Sequence, residues 1–360
     1  MKNKITWISS ALLLAVLTLF VWFYPKSDFS ESERRVLAPM PELSAESIFS
    51  GDFTNGFEEY ATDAFPFRDA FRAIKAYTSK YAFNLSDNNG VIVKDGHLTK
   101  LDYPMNTPML DHASERFQFI YDTFLRNANT NVYFSIVPDK NFFLDTLKLD
   151  YSALVSYMKE KTPYMNYIDV FPLLSLDDFY RTDSHWRQEC IRDIAEHIAS
   201  EMGADISAEY TENILDVPFY GVYAGQSAMK VSPDTIKYLT NDILNNVSVT
   251  SFDTGRPETS YVYNFEKANG RDPYELFLSG NNALLVVENP SAKEKRELVI
   301  FRDSYASSLA PILVPAYSKI TLVDIRYIQS AMIGSFVDFQ NSDVLFLYSS
   351  SLLNSSLAMK

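Results

Sequence analysis

Apolar and polar residues alternate along the chain in blocks that predict a series of strands and helices behind one long apolar segment. Ile5 to Tyr24 reads ITWISSALLLAVLTLFVWFY, about 20 residues without a charge and long enough for a helix to cross a hydrocarbon core. Ser27 to Ser50 is polar and Pro-punctuated, a predicted linker. Helices are then expected near Asn55 to Thr62 and from Pro66 to about Tyr81, where Phe67, Phe71, Ile74 and Tyr77 recur at helical spacing. Asp95-Gly96, set between alternating residues in Val91 to Leu101, predicts a two-residue hairpin turn.

Further on, a helix from about His112 to Leu125 precedes the continuous apolar run Asn131 to Pro138, which reads as a buried strand. A helix at Tyr151 to Lys161 and a short strand near Tyr167 to Val170 complete a first β-α-β alternation. The helix expected after Asp183 carries Trp186, Cys190, Ile191, Ile194 and Ile198 on one stripe and stops at Gly203. Residues from about 204 to 290 carry a helical stripe only near Ser232 to Asn245 and read as a strand-containing insertion. The alternation then resumes with strands at Glu297 to Phe301, Lys319 to Val323 and Asp343 to Tyr348, and a helix at Ala306 to Leu313. Near-continuous apolar strands separated by helices predict an α/β fold, a parallel sheet covered by helices on both faces. The expected organisation is a cytoplasmic stub and anchor (1–26), the linker (27–50) and one domain (51–360) with an insertion at about 204–290.

The ends of the apolar segment set its expected orientation. Lys2 and Lys4 precede it and Asp28, Glu31 and Glu33 follow it, which predicts a cytoplasmic N-terminus and an exported body. A cleaved signal peptide is the rival reading, although the stretch is long and no small-residue cleavage site follows. The net charge of -14 argues against nucleic acid as a partner. The single cysteine, Cys190, excludes an internal disulfide, and its apolar helical setting reads as core.

Two segments could carry chemistry. In ELVIFRDSYASSLAPIL an apolar strand ends at Arg302-Asp303, with Ser304 at the turn into a helix, the end of the strand where α/β sheets bind ligands. Ser304 is a candidate nucleophile there; the plainer alternative is that Ser304 or Asp303 caps the helix. A serine needs a base, and the chain has four histidines. His97 lies in the hairpin, His112 at a helix edge and His197 on a polar helix face. His185, in TDSHW, stands two residues after Asp183, which could orient its ring; alternatively Asp183 or Ser184 caps a helix and His185 is a bystander. A metal is the competing use of these side chains, but no second histidine lies at ligand spacing. No metal or cofactor is expected.

Tyr180-Arg181-Thr182-Asp183-Ser184-His185-Trp186 resembles the Y-x-x-D-x-H-W element of the DHHW proteins and the alginate O-acetyltransferase group, of the SGNH-hydrolase-like superfamily. SESERRVLAPMP resembles their post-anchor segment, and FEEYATDAFPFRD their F-x-x-x-D-x-F-P-x-R element. VIVKDGHL, VPDK, DPYELFLSGNN, FRDSYASSLAP and VDIRYI follow in the family's order. The resemblance implies an SGNH-like (flavodoxin-like) sheet, a Ser304–His185–Asp183 triad, and acyl, above all acetyl, transfer to hydroxyls of a cell-surface or exported polysaccharide. It also implies a membrane-bound O-acyltransferase partner as acyl donor. Ser184 departs from the family's first histidine, and Arg302 stands where a glycine is usual before Asp-Ser, which leaves the second oxyanion donor open, with an amide near Gly280 or Asn281 as the candidate. An esterase using the same triad, and a non-catalytic glycan-binding wall protein, are the alternative readings.

Overall fold

The computed structural model describes residues 2–85 and 87–360. Met1, the first residue of the expected cytoplasmic stub, lies outside them. The chain forms two compact units, residues 1–89 with 224–230, and residues 90–223 with 231–360.

The first unit is helical. Lys2–Phe23 forms one helix, and its segment Thr6–Phe23 is long and apolar enough to cross a membrane, with none of it buried against the protein. Ala45–Ser50 follows, opened by a capping box in which Ser44 and Ser47 exchange hydrogen bonds. Gly51, at φ 86°, turns the chain into Asp52–Asp63. Phe67, also left-handed, turns it into Arg68–Tyr81, so Pro66 sits in the turn and not in the first helical turn. Two of the motif segments meet here through charge. Asp63 accepts from Arg35 (2.7 and 2.6 Å) and from the Ala38 amide, while Glu33 pairs with Arg68 (2.5 Å) and Arg72 (3.1 Å). The Arg35 guanidinium holds the Asp63 carboxyl below its ordinary pKa.

The second unit is built on an eight-stranded sheet. Its order is Glu258–Ser260, Ser248–Ser251, Leu284–Glu288, Lys319–Val323, Glu297–Arg302, Ser342–Ser349, Asn131–Val137 and Asn166–Tyr167. The last five are mutually parallel, and the first three join antiparallel at one edge. Part of the expected insertion therefore extends the main sheet. Side chains alternate between two buried faces. Leu298, Ile300, Leu345 and Leu347 enter one core with the helices Tyr305–Leu313 and Arg192–Glu201, whereas Val299, Phe301, Val344 and Phe346 enter the other with Thr107–Ile120 and Tyr151–Lys161. Each such side chain contributes about 2 kcal/mol by leaving water. Burial on both faces is why these strands are apolar without alternation.

Three further sequence expectations differ from the structure. Ser232 to Asn245, expected to be helical, contains the strand Asp234–Thr240, paired antiparallel with Thr211–Phe219 with a register shift between Ile214 and Pro218. The pairing outweighs a weak helical stripe, and the Leu239 amide is taken by Gln188 Oε1 at 2.8 Å. Trp186 and Cys190 precede the helix they were expected to join: Trp186 bridges to Phe179, Gln188–Cys190 is a 3-10 turn, and the α-helix is Arg192–Glu201. Trp186 is held instead by its indole N–H, which donates to Tyr305 O (3.1 Å) and Ser308 Oγ (2.9 Å). The third is the start of the helix expected near His112, which begins five residues earlier, at Thr107, with Pro108 in its first turn.

Candidate active site

The parallel strand Glu297–Arg302 ends at Asp303, and the chain turns at Ser304 into Tyr305–Leu313. Asp303 performs the capping: one oxygen accepts the Tyr305 amide (3.0 Å) and the other the Ser349 amide at the end of the neighbouring strand (2.8 Å). Ser304 makes no side-chain cap. Its hydroxyl lies 2.7 Å from His185 Nε2. Among the described residues nothing accepts the Ser304 backbone N–H, which leaves a donor at the start of the helix.

His185 Nδ1 lies 2.5 Å from Asp183 Oδ1, which also accepts the His185 amide at 3.1 Å. The other Asp183 oxygen accepts the Val222 amide at 2.8 Å. A ring bonded on one nitrogen to a carboxylate presents the other nitrogen as an acceptor for a hydroxyl. The ring is only 13% exposed. Tyr274 stacks on it with centroids 3.9 Å apart and planes 11° off parallel, and Tyr305 leans on it at 5.2 Å. Tyr274 is fixed in turn by its hydroxyl, 2.9 Å from Ser308 Oγ, and Tyr305 by donation to Ser184 O at 2.6 Å. Burial pushes both phenols well above their ordinary pKa, so they act as neutral walls.

The loop that carries Asp183 is held at several points. Asp234 accepts the Thr182 amide (2.7 Å), the Thr182 hydroxyl (2.6 Å) and the Arg181 amide (3.2 Å). Thr182 Oγ1 accepts the Gly221 amide at 2.9 Å. Glycine is required at 221 by crowding, since a Cβ there would stand 2.3 Å from that of Asp183. The fully buried Lys140 donates to Tyr180 O (3.0 Å) and Arg181 O (3.2 Å). Burial pushes its pKa down to about 7, although Asp183, Asp234 and Asp139 pull the other way.

Asp183, His185 and Ser304 thus meet, from segments about 120 residues apart. The other histidines sit elsewhere: His97 is buried in the hairpin with its pKa pushed down to about 4, and His112 Nδ1 lies 3.2 Å from Ser356 Oγ. Burial pushes the half-buried Cys190 thiol up to about 11, which disfavours the thiolate. The Gly280 amide, one of the two candidate oxyanion donors, is taken by Phe277 O at 3.1 Å. Sequence reasoning missed Tyr274, Lys140, Gly221 and Asp234. The motifs DPYELF and VPDK contain the first two, but nothing local ties Gly221 or Asp234 to Asp183.

Comparison with solved structures supports the architecture. A DHHW family protein from Eubacterium siraeum superposes with a TM-score of 0.58 at 18% identity, covering 76% of this chain and 97% of that one. The chain shares the DHHW protein's fold. PatB1 of Bacillus cereus, solved with a sulfonyl adduct, gives a TM-score of 0.59 at 20% identity over 73% of this chain and 95% of its own. No family model and no curated protein matches the sequence.

Proposed function

We propose that the chain is a membrane-anchored O-acyltransferase that acts outside the cytoplasm on a cell-surface or exported polysaccharide, through Ser304, His185 and Asp183. The observation that carries the reading is the pair of short contacts on His185, 2.7 Å to Ser304 Oγ and 2.5 Å to Asp183 Oδ1. His185 Nε2 takes the Ser304 proton as Oγ bonds to the acyl carbonyl carbon, and Asp183 stabilises the imidazolium. The developing oxyanion is met by the Ser304 amide. Collapse expels the donor's leaving group, which takes the proton from His185 and leaves an ester on Ser304. A sugar hydroxyl then gives its proton to His185 and attacks that ester, restoring the serine.

The helix Lys2–Phe23 is the anchor in this reading, with residues 1–26 as stub and span and the N-terminus cytoplasmic. It would keep the exported body beside a membrane-bound acyl donor, for which a membrane-bound O-acyltransferase is the fitting partner.

The test is reaction with an aryl sulfonyl fluoride, a choice suggested by the adduct recorded in PatB1, followed by mapping of the labelled residue. Labelling at Ser304, absent in Ser304→Ala, is expected; equal labelling of that variant would refute the role of Ser304. Acyl release from a soluble donor ester with and without glycan then separates the alternatives. Transfer to glycan supports the transferase, and fast hydrolysis without transfer the esterase.

A further inference from the structure

We infer that the helix Arg68–Tyr81 lies in the surface of the same bilayer that the anchor crosses, with its apolar stripe among the lipids of the outer leaflet. This rests on the proposed membrane span of Lys2–Phe23 and adds a second point of lipid contact. The observation is an inverted polarity. Phe67, Phe71, Ile74 and Tyr81 fall on one side of the helix at steps of four, three and seven. They are 59%, 55%, 60% and 72% exposed. A helix on a water-soluble body turns such a stripe inward. Here the inward side is charged instead: Arg68 and Arg72, 16% and 13% exposed, reach Glu33 and Asp63, and Arg72 also donates to Gly225 O at 2.9 Å. Exposed apolar residues continue beyond the helix at Phe83 and Leu85, and before it at Phe65.

What covers the stripe follows from where it starts. Phe67 stacks on Phe20 (6.3 Å, 22°) and lies 5.4 Å from the Tyr24 ring, at the end of the apolar segment. The stripe is therefore continuous with the span itself, at the level where the span leaves the hydrocarbon. An amphipathic helix of modest net hydrophobicity, with aromatic residues on one side and Arg and Lys beside them, settles at that boundary. Between this helix and the preceding one runs a groove of about 860 Å³, with apolar walls from Phe57, Phe65 and Phe71 and a polar side where Glu33 faces Arg68 and Arg72. Its apolar walls suit acyl chains, and its arginines are already neutralised by Glu33 and Asp63.

The test uses the full-length chain in vesicles of phosphatidylcholine and phosphatidylglycerol, in a Cys190→Ser background. An environment-sensitive fluorophore is attached through Ile74→Cys on the stripe, Asp69→Cys on the opposite side of the same helix, or Leu19→Cys in the span. Lipids spin-labelled near the headgroup are expected to quench the probe at 74 several-fold more than the probe at 69, while deep-labelled lipids quench the probe at 19. Quenching at 19 with none at 74 overturns the inference and leaves the anchor standing. No quenching at 19 removes the anchor and the inference together. A probe at 74 that is shielded but unquenched, with cross-linking between copies, means that a second copy covers the stripe, which also overturns it.

Discussion

Gly221→Ala is the most searching perturbation of the candidate site, because it adds one methyl group and touches none of the reacting atoms. The added Cβ would lie 2.3 Å from Asp183 Cβ and 2.4 Å from its Cα and N, all close to or part of the backbone. Ordinary contact begins at 3.4 Å, so the two segments must part by about 1 Å. They cannot part freely. The Gly221 amide donates to Thr182 Oγ1 and the next amide, of Val222, donates to Asp183 Oδ2. Either these bonds stretch, or Asp183 moves and carries its 2.5 Å contact with His185 out of line.

Overpacking of this kind costs about 1–3 kcal/mol, which corresponds to a Tm lower by about 2–6 °C. A displacement of that size at a catalytic group lowers rates by about 100-fold. The assay is the rate of Ser304 sulfonylation followed by intact-protein mass spectrometry, set beside a thermal melt. A variant with unchanged labelling rate and unchanged Tm would refute the argument that Asp183 is positioned by the close approach of residue 221.

Asp183→Asn should keep the fold but slow labelling by about 10⁴-fold, since an amide favours the wrong imidazole tautomer; a rate within tenfold of wild type would count against the triad. Tyr274→Phe preserves the ring stacked on His185 and loses only the hydroxyl contact with Ser308, at a cost of about 1 kcal/mol. Tyr274→Ala, which removes the wall, should cost about 4 kcal/mol and slow labelling, so equal effects of the two changes in denaturant melts would exclude a packing role for the ring. His97 gives a pH signature. Its folded pKa is about 4 against 6.5 when free, so the unfolded chain binds the proton first. Stability is then full above pH 6.5 and falls as pH drops toward 4, by about 3 kcal/mol at most from this group. Denaturant unfolding of wild type and His97→Gln across pH 4–7 measures it, and a difference that does not change with pH would remove His97 as the cause.

The parallel core of the sheet was legible because strands such as Glu297–Arg302 and Ser342–Ser349 are buried on both faces and carry an uninterrupted apolar code. The hairpin was legible because Asp95 and Gly96, at φ 48° and 79°, form a turn whose residue preferences are local. Asp183, His185 and Ser304 could be proposed together as candidates because serine chemistry needs a base and few histidines are available, and the three side chains do lie in contact. The rest depends on contacts distant in sequence. Nothing within Asp234–Thr240 says that it will pair with Thr211–Phe219, and the antiparallel strands at the sheet edge owe their position to neighbours up to about 40 residues away. The Gly221–Asp183 approach joins residues 38 apart through a loop, and no local pattern marks it.

Arg302 shows how the strand that leads to Ser304 and the inserted segment depend on each other. The residue before Asp303 is usually glycine in the family that the sequence resembles, and an arginine there leaves the second oxyanion donor open. It is fully buried, and its guanidinium donates to Ser307 Oγ (2.6 Å) and across to Gly280 O (3.3 Å) and Asn282 O (3.5 Å). Those carbonyls belong to a turn in which Leu278, Ser279 and Gly280 all have positive φ, a conformation that side-chain-bearing residues seldom hold without support. Burial of the charge is opposed by Asp324, which itself pairs with Arg326 at 2.6 Å. The same turn follows directly on Pro273–Leu276, whose Tyr274 is the wall behind His185. Arg302 therefore ties the strand that leads to Ser304 to the segment that packs on His185, and the side chain that departs from the resemblance belongs to the framework holding the two halves of the candidate site together.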